Sequence, residues 1–489
     1  MNILKQKTPN VLVILDGFGI TKPSNRNAVY VANPVNFNNY FQNYPHTKLV
    51  NWGENVGLPK GEMGNSEVGH MTIGAGKIVK QHSLLISDEI TTGKFFRNSN
   101  LNNIISDFSG ETVHIAGLLS NAQVHSSVKH LIATYQFLSN KNIKTKIHLF
   151  SDGRDSGTNN FLEFYNKLPL EIRRSVVTIS GRYYAMDRDK HWERTKLAYD
   201  GLVKGLGNQF ETIEKAIEDS YHHKITDEFI KPCVIADYKG CNSKDMFFIF
   251  NFREDRIRQI GKAINSKDFK YFNREMTTIQ LSTLTQYEEQ GLDNVPFVYP
   301  RIKIKDTLSD KLSNKGLSQL HIAESEKYAH VTYFFNGGRE VKNKGEEFII
   351  VPSPRVVSFD LCPEMSALEV GNEVIENLGK YNFYVVNFAN PDMVAHTGDI
   401  EATSFAVKTV DIQLARIVNK VESLKGQVYI TSDHGNAEVL RHSHQEDIDT
   451  KHNRNPVPFI YIGDKKNTGI TKMKSLSDIA GFILKTIKI

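Results

Sequence analysis

Short apolar runs punctuate this chain, and most of them are followed within a few residues by Asp, His, Arg or Asn. Val11–Leu15 is the first, flanked by turn residues on both sides. That is the pattern of a strand buried on both faces of a parallel sheet. Similar runs predict strands at Val113–Ala116, Lys146–Phe150, Val176–Ile179 and Met246–Phe250. Later ones predict strands at Gln319–Ala323, Phe348–Val351, Phe383–Phe388, Gln427–Thr431 and Phe459–Ile462. Helical segments fall between them, at Ser309–Asn314 and Ser366–Leu378 for example. Strand-then-helix alternation makes this an α/β chain whose sheets are mostly parallel with flanking helices. Gly74-Ala-Gly76 interrupts the pattern, and the alternating charges of Arg301-Ile-Lys-Ile-Lys305 mark a return. The expected organisation is therefore a discontinuous domain of residues 1–76 and 306–489, with a second α/β domain, 77–305, inserted in it.

Composition narrows the class. At 489 residues there is room for two domains with full cores, and 40% hydrophobic with 24% charged residues is ordinary for a globular protein. A net charge of +5 is small for this length and argues against nucleic acid or an anionic membrane as partner. Cys233, Cys241 and Cys362 lack C-x-x-C spacing, which speaks against a disulfide framework or a thiolate zinc site and fits a reducing compartment. No stretch approaches the roughly 20 apolar residues of a membrane span, and no signal-peptide core opens the sequence. The expectation is a soluble cytoplasmic protein, acting as a monomer.

The candidate chemistry lies where the runs end, since ligands of open α/β sheets gather at the carboxyl ends of strands. In Gly61-Glu-Met-Gly-Asn-Ser66-Glu-Val-Gly-His70 the glycines let the backbone approach a ligand closely, and Ser66 stands where a helix begins. Ser66 is either the cap of that helix or a nucleophile toward phosphate. Asp16 follows the first strand, Asp392 and His396 follow another at i and i+4, and Asp433-His434 follow a third. With His452 and Ser66 Oγ these make an oxygen and nitrogen donor set without thiolate, suited to Mn²⁺, Zn²⁺, Co²⁺ or Mg²⁺. Seven donors are too many for one tetrahedral ion and about right for two, an arrangement that serves phosphoryl transfer. In the middle of the chain, strands lead to His125, to Arg154 and Asp155, to Arg182 and Arg188, and to Arg253 and Arg256. Five arginines at one sheet edge call for an anion.

These motifs together resemble the cofactor-independent (2,3-bisphosphoglycerate-independent) phosphoglycerate mutases of the alkaline phosphatase superfamily, nearly end to end. The similarity runs through Leu15–Gly19, Gly61–His70, Ser151-Asp-Gly-Arg-Asp155, Gly181–Asp189, Asn251-Phe-Arg253, Ala323–Tyr328, Asn390–His396, Ser432–Asn436 and Asn455–Pro458. The resemblance implies an alkaline-phosphatase-like core, a transiently phosphorylated Ser66, and no 2,3-bisphosphoglycerate. It implies one metal ion on Asp392, His396 and His452 and another on Asp16, Ser66, Asp433 and His434, most readily Mn²⁺. It further implies that His125, Arg154, Asp155, Arg182, Arg188, Arg253, Arg256 and Lys327 hold 3-phosphoglycerate or 2-phosphoglycerate. On this reading Arg253, Arg256 and Lys327 position the phosphate, while Arg154, Asp155, Arg182 and Arg188 grip the glycerate. His125 is the expected proton shuttle, because an unperturbed imidazole titrates near the operating pH. Two stretches depart from the family. Ser156-Gly-Thr-Asn-Asn160 stands where a proline-containing segment is usual, and Lys451 and Arg454 flank His452.

Overall fold

The first apolar run is the centre of a seven-stranded sheet. In the computed structural model, which describes residues 7–274, 279–440, 451–463 and 468–488, Asn10–Leu15 pairs in parallel with Phe383–Phe388 and with Gln427–Thr431. Across the sheet the order is Glu346–Val351, Gln319–Glu324, Phe383–Phe388, Asn10–Leu15, Gln427–Thr431, Val457–Ile462 and His46–Leu49. The last two pairings are antiparallel and the others parallel. Alternate residues of the central strand feed two cores. Val11, Val13 and Leu15 pack with Val407, Leu414 and Val418 of the helix Ile400–Ser423. Leu12 and Ile14 pack with Val68 and Ile73 of Ser66–Ala75 and with Ile479 and Ile483 of Ile479–Thr486. Both faces are covered, so the central strand is apolar from Val11 to Leu15.

Ile400–Ser423 is not marked by any run in the sequence. Its buried stripe mixes Thr403, Ser404 and Gln413 with Val407, Val410, Leu414 and Ile417, which dilutes the hydrophobic period. Its start is fixed by Asp399, whose carboxylate accepts from the Ala402 N–H at 2.8 Å.

The second sheet has eight strands, ordered Phe297–Tyr299, Gln280–Thr285, Met246–Ile249, Thr112–Leu119, Lys144–Ser151, Val176–Gly181, Cys233–Ile235 and Asn208–Phe210. Only the pairing of Val176–Gly181 with Cys233–Ile235 is antiparallel. Ile115, Ile147 and Leu149 face a core with Leu131 and Phe137, whereas Ala116, Leu118 and Phe150 face Tyr199, Ile260 and Ile264. The two sheets belong to two compact units, one comprising the chain up to Gln81 and from Ile302 onward, the other His82–Arg301. Gly76, near which a crossing was expected, is the left-handed C-cap of Ser66–Ala75. Among the described residues no helix is long and apolar enough to cross a membrane.

Candidate metal centre and anion-binding residues

In the first unit, four parallel strands end on the same edge of the sheet and each delivers a polar residue there. Asp16 follows Asn10–Leu15, Lys327 follows Gln319–Glu324, Asp392 follows Phe383–Phe388, and Asp433 and His434 follow Gln427–Thr431. His452 precedes Val457–Ile462, which is antiparallel and so starts at that same edge. Ser66 opens the helix Ser66–Ala75, but it does not cap it. The N-cap is Asn65, whose side chain accepts from the Val68 N–H. Ser66 is released from capping, and its Oγ lies 2.9 Å from His434 Nε2, 3.2 Å from Asp16 Oδ1 and 2.7 Å from Lys327 Nζ. Gly64 and Gly69 serve close approach to protein rather than to a ligand. A Cβ on Gly69 would fall 2.8 Å from both Cβ and the carbonyl oxygen of Asp433, so the helix reaches that turn only with glycine there.

The donors fall into two groups, Asp16, Asp433, His434 and Asp392, His434, His452, with His434 common to both. Asp392 Oδ1 is 3.4 Å from His396 Nε2 and 3.5 Å from His452 Nε2, and the two imidazole Nε2 atoms are 3.2 Å apart. His452 Nδ1 is 3.0 Å from the Gly64 carbonyl. That bond takes the ring proton and turns the Nε2 lone pair toward Asp392, as in histidines that ligate metals. Asp16, Asp392 and Asp433 are all fully or almost fully buried, with Lys327 Nζ 2.8 Å from Asp16 and 2.7 Å from Asp392. Burial alone would push Asp392 up, but Lys327 and His434 hold it well below the usual carboxylate range. Burial likewise opposes the charge on His434, yet Asp433 and Asp392 raise its pKa to about 9. Three buried, ionised carboxylates facing buried His434, half-buried His452 and exposed His396 fit divalent cations with mixed oxygen and nitrogen ligands. Lys327, expected among the substrate-gripping cations, stands inside this carboxylate cluster.

In the second unit, Thr112–Leu119, Lys144–Ser151, Val176–Gly181 and Met246–Ile249 are neighbours in one parallel register, so their carboxyl ends share an edge. His125, Arg154 with Asp155, Arg182 with Arg188, and Arg253 with Arg256 all follow these ends. Arg182 is buried; its Nη1 donates to Asp152 Oδ1 at 2.6 Å and to Asp155 Oδ2 at 2.5 Å. Its Nη2 is 3.2 Å from His125 Nε2, which accepts and leaves the ring proton on Nδ1. His125 Nδ1 faces Asp255 Oδ1 at 3.5 Å, and Asp255 also pairs with Arg188 at 2.9 Å and Arg253 at 3.3 Å. The pKa of His125 does not stay near the unperturbed value on which its expected role was argued. Burial lowers it to about 4, Asp255 opposing and Arg182 and Arg253 assisting. The imidazole is therefore neutral at physiological pH. A cavity of about 280 Å³ is lined by Arg154, Arg182 and Arg256 together with Tyr183, Asp189 and Phe229.

The model of the Metalloenzyme superfamily matches residues 8–489. The 2,3-bisphosphoglycerate-independent phosphoglycerate mutase of Clostridium acetobutylicum is 45% identical over 492 residues, covering 98% of this chain and 96% of that protein. The chain belongs to this mutase family. The Clostridium tetani mutase is 44% identical at the same coverage. A crystal structure of Leishmania mexicana phosphoglycerate mutase at low cobalt concentration superposes with a TM-score of 0.76 at 27% identity, covering 99% of this chain and 96% of that one.

Around the candidate residues of this phosphoglycerate mutase family member stand others that sequence reasoning passed over. Asn387 Nδ2 donates to Asp16 Oδ2 at 2.7 Å and to His70 Nε2 at 3.0 Å, which leaves the His70 proton on Nδ1. That Nδ1 is 2.9 Å from the Ser66 carbonyl and 3.2 Å from Asp433 Oδ2. Asn436 Nδ2 donates to Asp392 Oδ1 at 2.7 Å. Asp152 and Asp255 hold the arginines of the second unit. Asn387 had a signal, being a polar residue inside the otherwise apolar Phe383–Phe388.

Proposed function

We propose that this enzyme interconverts 3-phosphoglycerate and 2-phosphoglycerate without a bisphosphate cofactor, through phosphorylation of Ser66 and with two divalent ions, Mn²⁺ by preference. The observation that carries the reading is the setting of Ser66 Oγ, spared from capping and within 3.2 Å of Asp16, His434 and Lys327. Asp16, Ser66, Asp433 and His434 would hold one ion, and Asp392, His396 and His452 the other. Such ions supply charge neutralisation at phosphorus and lower the pKa of a nearby hydroxyl. Lys327 adds a fixed positive charge where a phosphoryl group meets Ser66. Ser66 displaces glycerate from the phosphoryl group, giving phosphoserine, and the other hydroxyl of the retained glycerate attacks in return.

The arginines of the second unit give the glycerate its grip. Arg154, Asp155, Arg182 and Arg188 bind carboxylate and hydroxyls, and Arg253 and Arg256 bind the phosphate. Neutral His125 takes and returns the hydroxyl proton, the glycerate hydroxyl replacing Arg182 as the donor to its Nε2 lone pair. On this reading the first unit is the metal-binding, phosphatase-like domain and the inserted unit the substrate-binding phosphotransferase domain. Three free thiols fit a reducing cytoplasm, and we read the working form as a monomer.

The test uses metal-stripped full-length protein, Mn²⁺ added back, and no 2,3-bisphosphoglycerate. Metal-dependent formation of 2-phosphoglycerate from 3-phosphoglycerate with little free phosphate is expected, and Ser66→Ala should lower it by at least about 10³-fold. Rapid release of inorganic phosphate would make the enzyme a phosphatase, and a fully active Ser66→Ala would remove the phosphoserine route.

A further inference from the structure

The loop 152–160 carries Arg154 and Asp155, contains no proline, and is fastened from outside. Asp227 is almost fully buried. Its Oδ2 accepts the backbone N–H of Asn160 at 2.9 Å and of Phe161 at 3.0 Å. Its own N–H donates to the Thr158 carbonyl at 2.8 Å, and its carbonyl accepts from Ser151 Oγ at 2.7 Å. Its remaining carboxylate oxygen accepts from the Tyr221 hydroxyl at 2.5 Å. One residue therefore holds the last position of the strand before the loop and three positions at the far end.

The brace continues through the next residues. Gly153, at φ +69°, packs so closely that a Cβ there would lie 2.4 Å from the Glu228 nitrogen. Glu228 Oε1 lies 3.4 Å from Arg154 Nη1. The Ile230 carbonyl accepts from Gly181 N–H at 2.7 Å, directly before Arg182. The same short segment thus touches both strand ends that present the arginines. Within the loop, Asp152 Oδ1 accepts from the N–H groups of Arg154 and Asp155 and from Arg182.

We propose that Asp227 is a positioning residue, whose carboxylate clamps the far end of the loop 152–160 while its backbone binds Ser151 and Thr158, so that Arg154 and Asp155 stand beside Arg182 before an anion arrives. Asp227 does not itself line the cavity and hydrogen-bonds none of the candidate substrate groups, so its effect passes through the loop and through Glu228, the next residue, which does line it. A loop ordered in advance binds without the entropic cost of ordering it. The inference rests on the proposed grip on phosphoglycerate for its kinetic readout, and on the loop's hydrogen bonds alone for its structural one.

Three variants of the full-length, metal-loaded enzyme separate the alternatives. Asp227→Asn can turn its carbonyl oxygen to Asn160 and Phe161 and its amide to Tyr221, keeping the clamp. Tyr221→Phe removes the hydroxyl that donates to the other carboxylate oxygen and also meets the Phe161 N–H, but leaves the Asn160 bond in place and so reports stability. Asp227→Ala is expected to raise KM for 3-phosphoglycerate by about tenfold or more with a smaller change in kcat, Asp227→Asn by less than about threefold, and Tyr221→Phe not at all. Amide hydrogen exchange at Asn160 and Phe161 should accelerate in Asp227→Ala alone. An unchanged KM in Asp227→Ala, or equal effects of Asp227→Ala and Tyr221→Phe, would overturn the proposal. If the unaltered chain does not act on phosphoglycerate, the reading of its function fails. Exchange then decides the clamp, as it also does if Asp227→Ala does not fold: slow exchange at Asn160 and Phe161 in the unaltered chain upholds it, random-coil rates overturn it.

Discussion

Asn387 shows what a single side chain does for the metal centre. Its neighbours in Phe383–Phe388 are aromatic or aliphatic and every residue of the strand is buried. Its amide fixes one oxygen of Asp16 and, through the tautomer of His70, steers an N–H toward Asp433. Partners of this kind orient ligands and are worth about 10–100-fold in metal affinity. Asn387→Leu, of similar size, should therefore weaken Mn²⁺ binding by about that factor, read by calorimetric or electron-spin-resonance titration. Unchanged affinity would mean that Asp16 and Asp433 hold their places without help. The site was legible where a polar residue ends an apolar run, as at Asp16, Asp392 and Asp433-His434. It was not legible where the polar residue lies inside a run or a buried helix, as Asn387 and His70 do, because pattern records burial but not partners. Lys327 and His125 show a second limit. Their sequence positions indicate a site, but burial and neighbouring charge decide their protonation, and both depend on residues far away in sequence.

Strands carry the next level, and one set is tied together by more than its backbone. Across three neighbouring strands of the second sheet, Thr178 lies 2.8 Å from His148 Nδ1, His148 Nε2 lies 2.8 Å from His114 Nδ1, and His114 Nε2 lies 3.2 Å from Asp245. Burial keeps both imidazoles neutral, and because Asp245 accepts only, the donors then run in one direction from the Thr178 hydroxyl. Adding a proton to either imidazole puts a charge on one of two stacked, buried rings, which burial disfavours. Thr178→Val, which leaves His148 Nδ1 without a donor, should cost about 1–3 kcal/mol in urea unfolding at neutral pH. The pH dependence has a definite sign. Burial holds His148 well below 6.5 and His114 below it, Lys146 lowering both and Asp245 opposing for His114. The unfolded chain takes up protons near pH 6.5 and the folded one only lower, so this contribution is full above about 6.5 and falls as pH drops below it. His148→Gln, able to accept from Thr178 and donate to His114, should flatten the loss of stability between about pH 7 and 5; an unaltered slope would acquit the histidines. The parallel strands at the sheet centres were readable as apolar runs. Edge strands such as His46–Leu49 and Asn208–Phe210 were not, since half-exposed or exposed residues leave no run to read.

At the scale of the whole molecule, each unit has its own sheet with a core on both faces, so each is equipped to unfold as a cooperative block. The seven donors expected from the sequence, Asp16, Ser66, Asp392, His396, Asp433, His434 and His452, all belong to the first unit and the arginine edge to the second. In the first unit, three buried carboxylates are met by Lys327 and by imidazoles, a charge balance that a divalent cation would complete. A cation that binds only the folded unit stabilises it by about 2.7 kcal/mol when present at 100 times its Kd. For a unit of this size that corresponds to roughly 5–10 °C in Tm. Calorimetry of the chelated protein should therefore give two transitions, of which Mn²⁺ raises one and Thr178→Val lowers the other. The same transition answering to both perturbations would mean that the units unfold together. A transition that Thr178→Val lowers and Mn²⁺ raises, beside a second that neither moves, would relocate metal binding to the His82–Arg301 unit, where Asp187, Asp189 and His191 form the one candidate donor group among the described residues.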